Sequence, residues 1–367
     1  MNPLFQRLMN EAARLTRKGN LHAATEAIQR ALRGGGAPLP QEGRVQTDAD
    51  VIEADARVLE PVPAEADVRY VEPVEPEPAT GQDAEPARWT DGAFAHGGRT
   101  LAYKLYLPPR APGAGLHPMP LVLMLHGCTQ NPADFAIGTR MNELARAQGF
   151  AVLYPAQTQH ENAQGCWNWF KPQHQQRGRG EPALLAALTE SVAAGHAIDR
   201  SRIYVAGLSA GGAMADILGH AYPDLFAAVG VHSGLPAGAA SDLMSALGAM
   251  RSGPSKSAPA SGKMPPLIVF HGDADATVNP LNGKALADRA SGSSGSRPDV
   301  SQGVSPQGRR FTRAVYGAAA GRQDVEYWQL HGTAHAWSGG SGQGSYTDPG
   351  GVDASAEMLR FFLAHTL

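Results

Sequence analysis

Ser209 stands at the centre of Gly207-Leu208-Ser209-Ala210-Gly211, a G-x-S-x-G pattern with the apolar run Ile203–Ala206 before it and an Ala/Met-rich stretch after it. A sharp strand-to-helix turn strains the backbone of its central residue, and only small neighbours let the flanking chain pass. Such a turn lifts the hydroxyl above the carboxyl ends of the strands, beside a helix N-terminus that favours developing negative charge. Placement therefore marks Ser209 as a candidate nucleophile, although an ordinary Gly-rich turn can carry the same letters.

A serine hydroxyl is a weak nucleophile near neutrality and needs a base within reach. Among the 13 histidines, His335 lies in Gly332-Thr333-Ala334-His335-Ala336-Trp337, between the last predicted strand, Val325–Leu330, and a closing helical stretch. His331, at the end of that run, is its rival. An acid should follow a strand lying between serine and histidine. Leu267–Phe270 leads into His271-Gly272-Asp273-Ala274-Asp275, and Asp275 is the expected partner of the imidazole. Asp273 reads as a turn residue. The same letters resemble the D-x-D-x-T-V motif of haloacid-dehalogenase phosphatases, but there the first Asp ends the strand directly.

Acyl transfer also requires two N–H groups aimed at the carbonyl oxygen as it becomes tetrahedral. Ala210, next after the serine, is one candidate. The strand-like Leu121–Leu125 runs into His126-Gly127-Cys128-Thr129-Gln130, which offers Cys128 N–H as the other. His126 reads as a brace for this loop. The chemistry needs neither metal nor organic cofactor.

The elements that must position these residues are short apolar runs, Leu121–Leu125, Phe150–Tyr154, Ile203–Ala206, Phe226–Val231 and Leu267–Phe270, with Val325–Leu330 as a last strand. Helix-like stretches (Met141–Gln148, Leu184–Ala194, Ala213–His220 and, last, Ala354–His365) separate or follow them. Apolar strands alternating with helices predict an α/β architecture, a mostly parallel sheet with helices on both faces. Leu101, Tyr103, Leu105 and Leu107 alternate as an early antiparallel strand should. The Gly/Ser/Pro-rich inserts Ser252–Lys263 and Ser291–Gln307 read as surface loops.

The first 90 residues differ. Leu4, Leu8, Ala12 and Leu15, then Leu21, Ala24, Ile28 and Leu32, predict an amphipathic helical hairpin over 1–35. Its apolar stripe needs a partner: the main body, a second copy, or a polymer granule or membrane. Residues 36–90, rich in Pro, Glu, Asp and Ala, read as a disordered linker, leaving 91–367 as the catalytic domain. Six Lys/Arg against two Glu in 1–33 become four against thirteen acidic residues in 34–88. The net charge of −3 carries no nucleic-acid footprint. No stretch approaches the about 18 apolar residues of a membrane helix or resembles a secretory leader, so the expected location is cytoplasmic.

Five separated segments then resemble the polyhydroxybutyrate-depolymerase-type esterases, kin of bacterial feruloyl esterases, within the α/β-hydrolase fold. They are His126–Gln130, Cys166-Trp167-Asn168-Trp169, Gly207–Gly212, His271-Gly272 with Asp275 and Val278, and Gly332 with His335–Gly340. The resemblance runs from about residue 95 onward. It implies the triad Ser209, Asp275 and His335, and sets the Cys166-Trp167 segment beside the oxyanion loop. Cys128 and Cys166 are then either a bridge or two reduced thiols; a bridge would weaken the cytoplasmic expectation, and the resemblance implies an extracellular location as the alternative. Trp167, Trp169 and Trp337 are candidates for the pocket wall, though aromatics serve a core equally well. The implied substrates are short-chain hydroxyalkanoate oligomers, short acyl esters or feruloyl-type esters. A granule- or partner-binding protein using the hairpin, or a peptidase on the same triad, are the alternatives.

Overall fold

The computed structural model describes residues 85–110, 117–256, 264–292, 297–317 and 324–367. The hairpin expected at 1–35, and all of the 36–90 linker before residue 85, lie outside them. In chain order the strands are β1 (Arg88–His96), β2 (Arg99–Leu107), β3 (Met119–Leu125), β4 (Ala151–Pro155), β5 (Ile198–Leu208) and β6 (Ala228–His232). Then come β7 (Leu267–Gly272), β8 (Asp299–Val304), β9 (Arg310–Tyr316) and β10 (Val325–Leu330). These form one sheet in the order β1-β2-β4-β3-β5-β6-β7-β10-β9-β8. The middle, from β4 to β10, is parallel; β1-β2 and β9-β8 add antiparallel edges.

The central strands are apolar on both faces because both faces are covered. In β3, Leu121, Leu123 and Leu125 join one core while Val122 and Met124 join the other. The same period of two divides β7, with Leu267 and Val269 on one side and Ile268 and Phe270 on the other. Helices α3 (Gly180–Gly195), α4 (Ala210–Ala221) and α6 (Leu281–Ser291) supply Leu185, Met214 and Leu286 to the first core. Helices α1 (Pro132–Thr139), α2 (Met141–Gln148) and α7 (Ala354–Leu363) supply Phe135, Met141 and Phe362 to the second. Helix α5 (Leu243–Ser252) precedes β7.

Strand register sets the site. Leu125 pairs with Gly207, so the loop after β3 and the turn after β5 emerge side by side. Leu330 pairs with Gly272, so the loops after β7 and β10 do the same. All four leave the carboxyl edge of the parallel strands, where open α/β sheets bind ligands.

Two boundaries differ from the sequence reading. The sheet begins at Arg88, inside the segment read as linker, because β1 pairs with β2 along its whole length. Asp299–Val304, read as loop, is edge strand β8. Its exposed residues and internal Gly303 give no apolar signal, and its pairing with β9 alone holds it. Residues 257–263 of the other insert lie outside the described residues.

Candidate active site

Ser209 occupies the turn between β5 and α4 with φ 56° and ψ −118°, a region L residues rarely adopt and hold at a cost of about 1–3 kcal/mol. Tight packing enforces it. A Cβ on Gly207 would lie 2.4 Å from the Gly211 carbonyl carbon, and one on Gly211 only 2.0 Å from Leu125 O. The Ser209 amide donates to His232 O at 2.9 Å, which fixes the turn to β6.

His335 and Asp275 meet as expected: the Nδ1–H of His335 donates to Asp275 Oδ2 at 2.7 Å. That assigns the proton to Nδ1 and leaves the Nε2 lone pair free. Asp275 Oδ1 accepts the Thr277 and Val278 amides at 2.9 and 2.8 Å. Burial alone would raise the Asp275 pKa, but hydrogen bonds from His271, His335 and the Val278 amide outweigh it and hold the carboxyl well below its usual range. Among the described residues no hydrogen bond joins the Ser209 hydroxyl to His335; the two line one cavity.

The sequence rivals pair with each other. His331 Nδ1 bonds Asp273 Oδ2 at 2.8 Å, Gly332 N donates to Asp273 Oδ1 at 2.7 Å, and Thr312 Oγ1 lies 2.8 Å from His331 Nε2. This array latches the start of the His335 loop to the start of the Asp275 loop. With both carboxylates held by imidazoles, the phosphatase-like letters have no free aspartate to offer.

At the other side, Gly127 N is taken by Gln130 Oε1 at 2.9 Å. The amides of Cys128 and Ala210 have no acceptor among the described residues, and Cys128 lines the cavity with Ser209. His126 braces the loop: its Nδ1 bonds Gly127 O at 2.8 Å and its Nε2 accepts the Gln157 amide at 3.1 Å. Burial lowers its pKa, consistent with a neutral ring. Cys128 and Cys166 are joined by a disulfide. Thr129 N donates to Gln164 O at 2.8 Å, a second tie to the same segment.

The cavity, about 170 Å³, has Cys128, Ser209, Met250, Thr277, His335 and Tyr346 among its lining residues. None of the three tryptophans named from the sequence lines it. Trp167 and Trp169 are packed in the first core, and Trp337, 1% exposed, stacks on His232 in the second while its Nε1 donates to Ser355 Oγ. Large aromatic area favours the interior over a pocket wall here.

Three contributors were given no role from the sequence. His232, wholly buried, accepts the Ser338 amide at 3.0 Å and so holds the far end of the His335 loop; burial drives its pKa down to about 3. Gln130 ties the loop after β3 to Ser345 O at 3.0 Å. Tyr346 sets its ring edge-on to His335. Only Gln130, three residues after Gly127 in the loop motif, was within sight of a motif-based reading.

A sheet of this order, with serine, imidazole and carboxylate on loops at its carboxyl edge, defines an α/β-hydrolase. Residues 101–291 match the family described as Esterase PHB depolymerase, and the chain belongs to that family. Poly(3-hydroxyalkanoate) depolymerase C of Paucimonas lemoignei is 34% identical over 245 residues, covering 63% of this chain and 56% of the relative. Feruloyl esterase B of Thermothelomyces thermophilus is 33% identical over 128 residues, 35% of this chain and 43% of the relative. The chain thus matches about half the length of each relative. The acetyl xylan esterase from Aspergillus awamori shares the fold, with a TM-score of 0.56 at 20% identity over 68% of this chain and 94% of that one. No helix among the described residues is long and apolar enough to cross a membrane.

Proposed function

We propose that the protein is a serine carboxylic ester hydrolase working through an acyl-enzyme. The observation that carries this reading is the Asp275–His335 bond on a cavity shared with a serine in strained turn geometry. Ser209 Oγ attacks the ester carbonyl while His335 Nε2 takes its proton. The oxyanion rests on the amides of Ala210 and Cys128. His335 then protonates the leaving alcohol and activates the water that releases the acid. In proteins without substrate the serine–histidine bond is often long and tightens in the complex.

Relatives named as a poly(3-hydroxyalkanoate) depolymerase and a feruloyl esterase support hydroxyalkanoate oligomers, short acyl esters or feruloyl-type esters as substrates. The disulfide favours an oxidising compartment over the cytoplasm. Granule binding or self-association through residues 1–35 stays a proposal, resting on the sequence pattern alone. In the test, Ser209→Ala lowers p-nitrophenyl butyrate hydrolysis by about 10⁴-fold or more with unchanged circular dichroism. Retained activity would move the role to another residue.

A further inference from the structure

Besides Ser209, Tyr346, which lines the cavity, has left-handed backbone at φ 51°, and so has Thr129 at φ 64°, next to the cavity-lining Cys128. They belong to different loops, one after β3 and one after the two-residue strand β11 (Trp337–Ser338), and they touch. Thr129 Oγ1 lies 3.2 Å from the Tyr346 phenol oxygen. The Thr129 proton already goes to Cys128 O at 2.6 Å, so the phenol is the donor across the gap.

The Tyr346 backbone is held from both sides. Its carbonyl accepts the Trp337 amide at 2.7 Å, and the neighbouring Ser345 is bonded through its amide to Asp134 and through its carbonyl to Gln130. Strain of this kind persists where surrounding contacts over-determine it, and it clusters at ligand sites. The ring it aims is 47% exposed, so burial does not account for its placement. That ring lines the cavity and meets His335 edge-on, with centroids 6.4 Å apart.

Resting on the ester-hydrolase reading, we propose that Tyr346 is a specificity-determining residue that receives the alcohol portion of the ester, preferring bulky apolar alcohols. In the reaction, His335 returns its proton to the oxygen of the departing alcohol, so that oxygen must lie against the imidazole. Whatever is attached to it runs onto the wall beside His335, to which the Tyr346 ring belongs. An aromatic face there gains apolar area from an aryl or branched alkyl group and almost none from methyl. The acyl chain departs from the carbonyl carbon in another direction, and so does not depend on this ring.

The test is a matrix of soluble esters with the intact chain. With the acyl group fixed as butyrate, methyl and benzyl esters are compared; with methanol as the fixed alcohol, acetate and hexanoate are compared. Tyr346→Ala is expected to lower kcat/KM for benzyl butyrate about tenfold relative to methyl butyrate, in line with the worth of small apolar contacts in a pocket. The hexanoate-to-acetate ratio is expected to stay at the parental value. Tyr346→Phe, which keeps the ring, retains the parental benzyl preference and checks that the loop survives substitution. An equal loss on both butyrates, or a change that follows acyl length, would overturn the proposal. Failure of the parental protein to cleave any of the four esters would instead contradict the ester-hydrolase reading.

Discussion

Asp275 lies almost wholly out of water, and burial by itself would favour its neutral acid. Two imidazoles and two amides converge on it, so the ionised form wins. An ionised Asp275 accepts the Nδ1 proton of His335 and keeps Nε2 as a base, the tautomer that proton abstraction from a hydroxyl requires. Asp275→Asn presents an amide to Nδ1 and favours the opposite tautomer, and kcat is expected to fall about 10⁴-fold in a protein that remains folded by circular dichroism. A loss of only a few fold would show that the carboxylate is not the orienting group. At this scale the candidates Ser209, Asp275 and His335 were legible in the sequence, because each lies in a short motif that follows a strand-like segment. The sequence could not separate pocket from core for Trp167, Trp169 and Trp337, since an aromatic side chain suits either and only packing decides. Tyr346 and His232 act through neighbours more than a hundred residues away in sequence, which no local pattern encodes.

The loop after β3 and the segment around Cys166 are held together by their covalent link, the Thr129–Gln164 backbone bond and the contact between the His126 and Trp167 rings. The bridge spans a sequence separation of 38 residues. On the chain-entropy model, closing a loop of that size stabilises the fold by about 4 kcal/mol. Replacing both cysteines with serine is expected to lower the unfolding free energy in urea by roughly that amount, and kcat with it, because the Cys128 amide loses its fixed direction. An unchanged kcat would mean that Gln130 and His126 position the loop unaided. Elements were the most legible level of this fold. Strands β3, β4, β6, β7 and the second half of β5 are largely apolar runs because both faces of the sheet are covered there, whereas β10 carries Glu326 and Gln329 among its apolar residues. The edges were less legible: β8 exposes most of its residues, and the start of β1 follows directly on a Pro-rich stretch.

Across the whole molecule, His126 and His232 fold as buried neutral rings, with pKa values lowered first of all by desolvation. In the unfolded chain both return to the ordinary value near 6.5. Below that pH the unfolded state binds more protons than the folded one, so stability is full above about pH 6.5 and declines as pH falls; for His232 the decline continues toward 3. Each imidazole adds a slope of at most about 1.4 kcal/mol per pH unit. Urea midpoints that fall between pH 6.5 and 4.5, before most carboxylates protonate, would bear this out; a flat profile would not. On the proposed mechanism Ser209 carries the activated hydroxyl. A fluorophosphonate probe followed by peptide mapping tests it most directly. A single adduct on Ser209, absent in Ser209→Ala and formed far more slowly in His335→Ala, is the expected result. An adduct on another residue, or ester turnover that persists with Ser209 unlabelled, would contradict it.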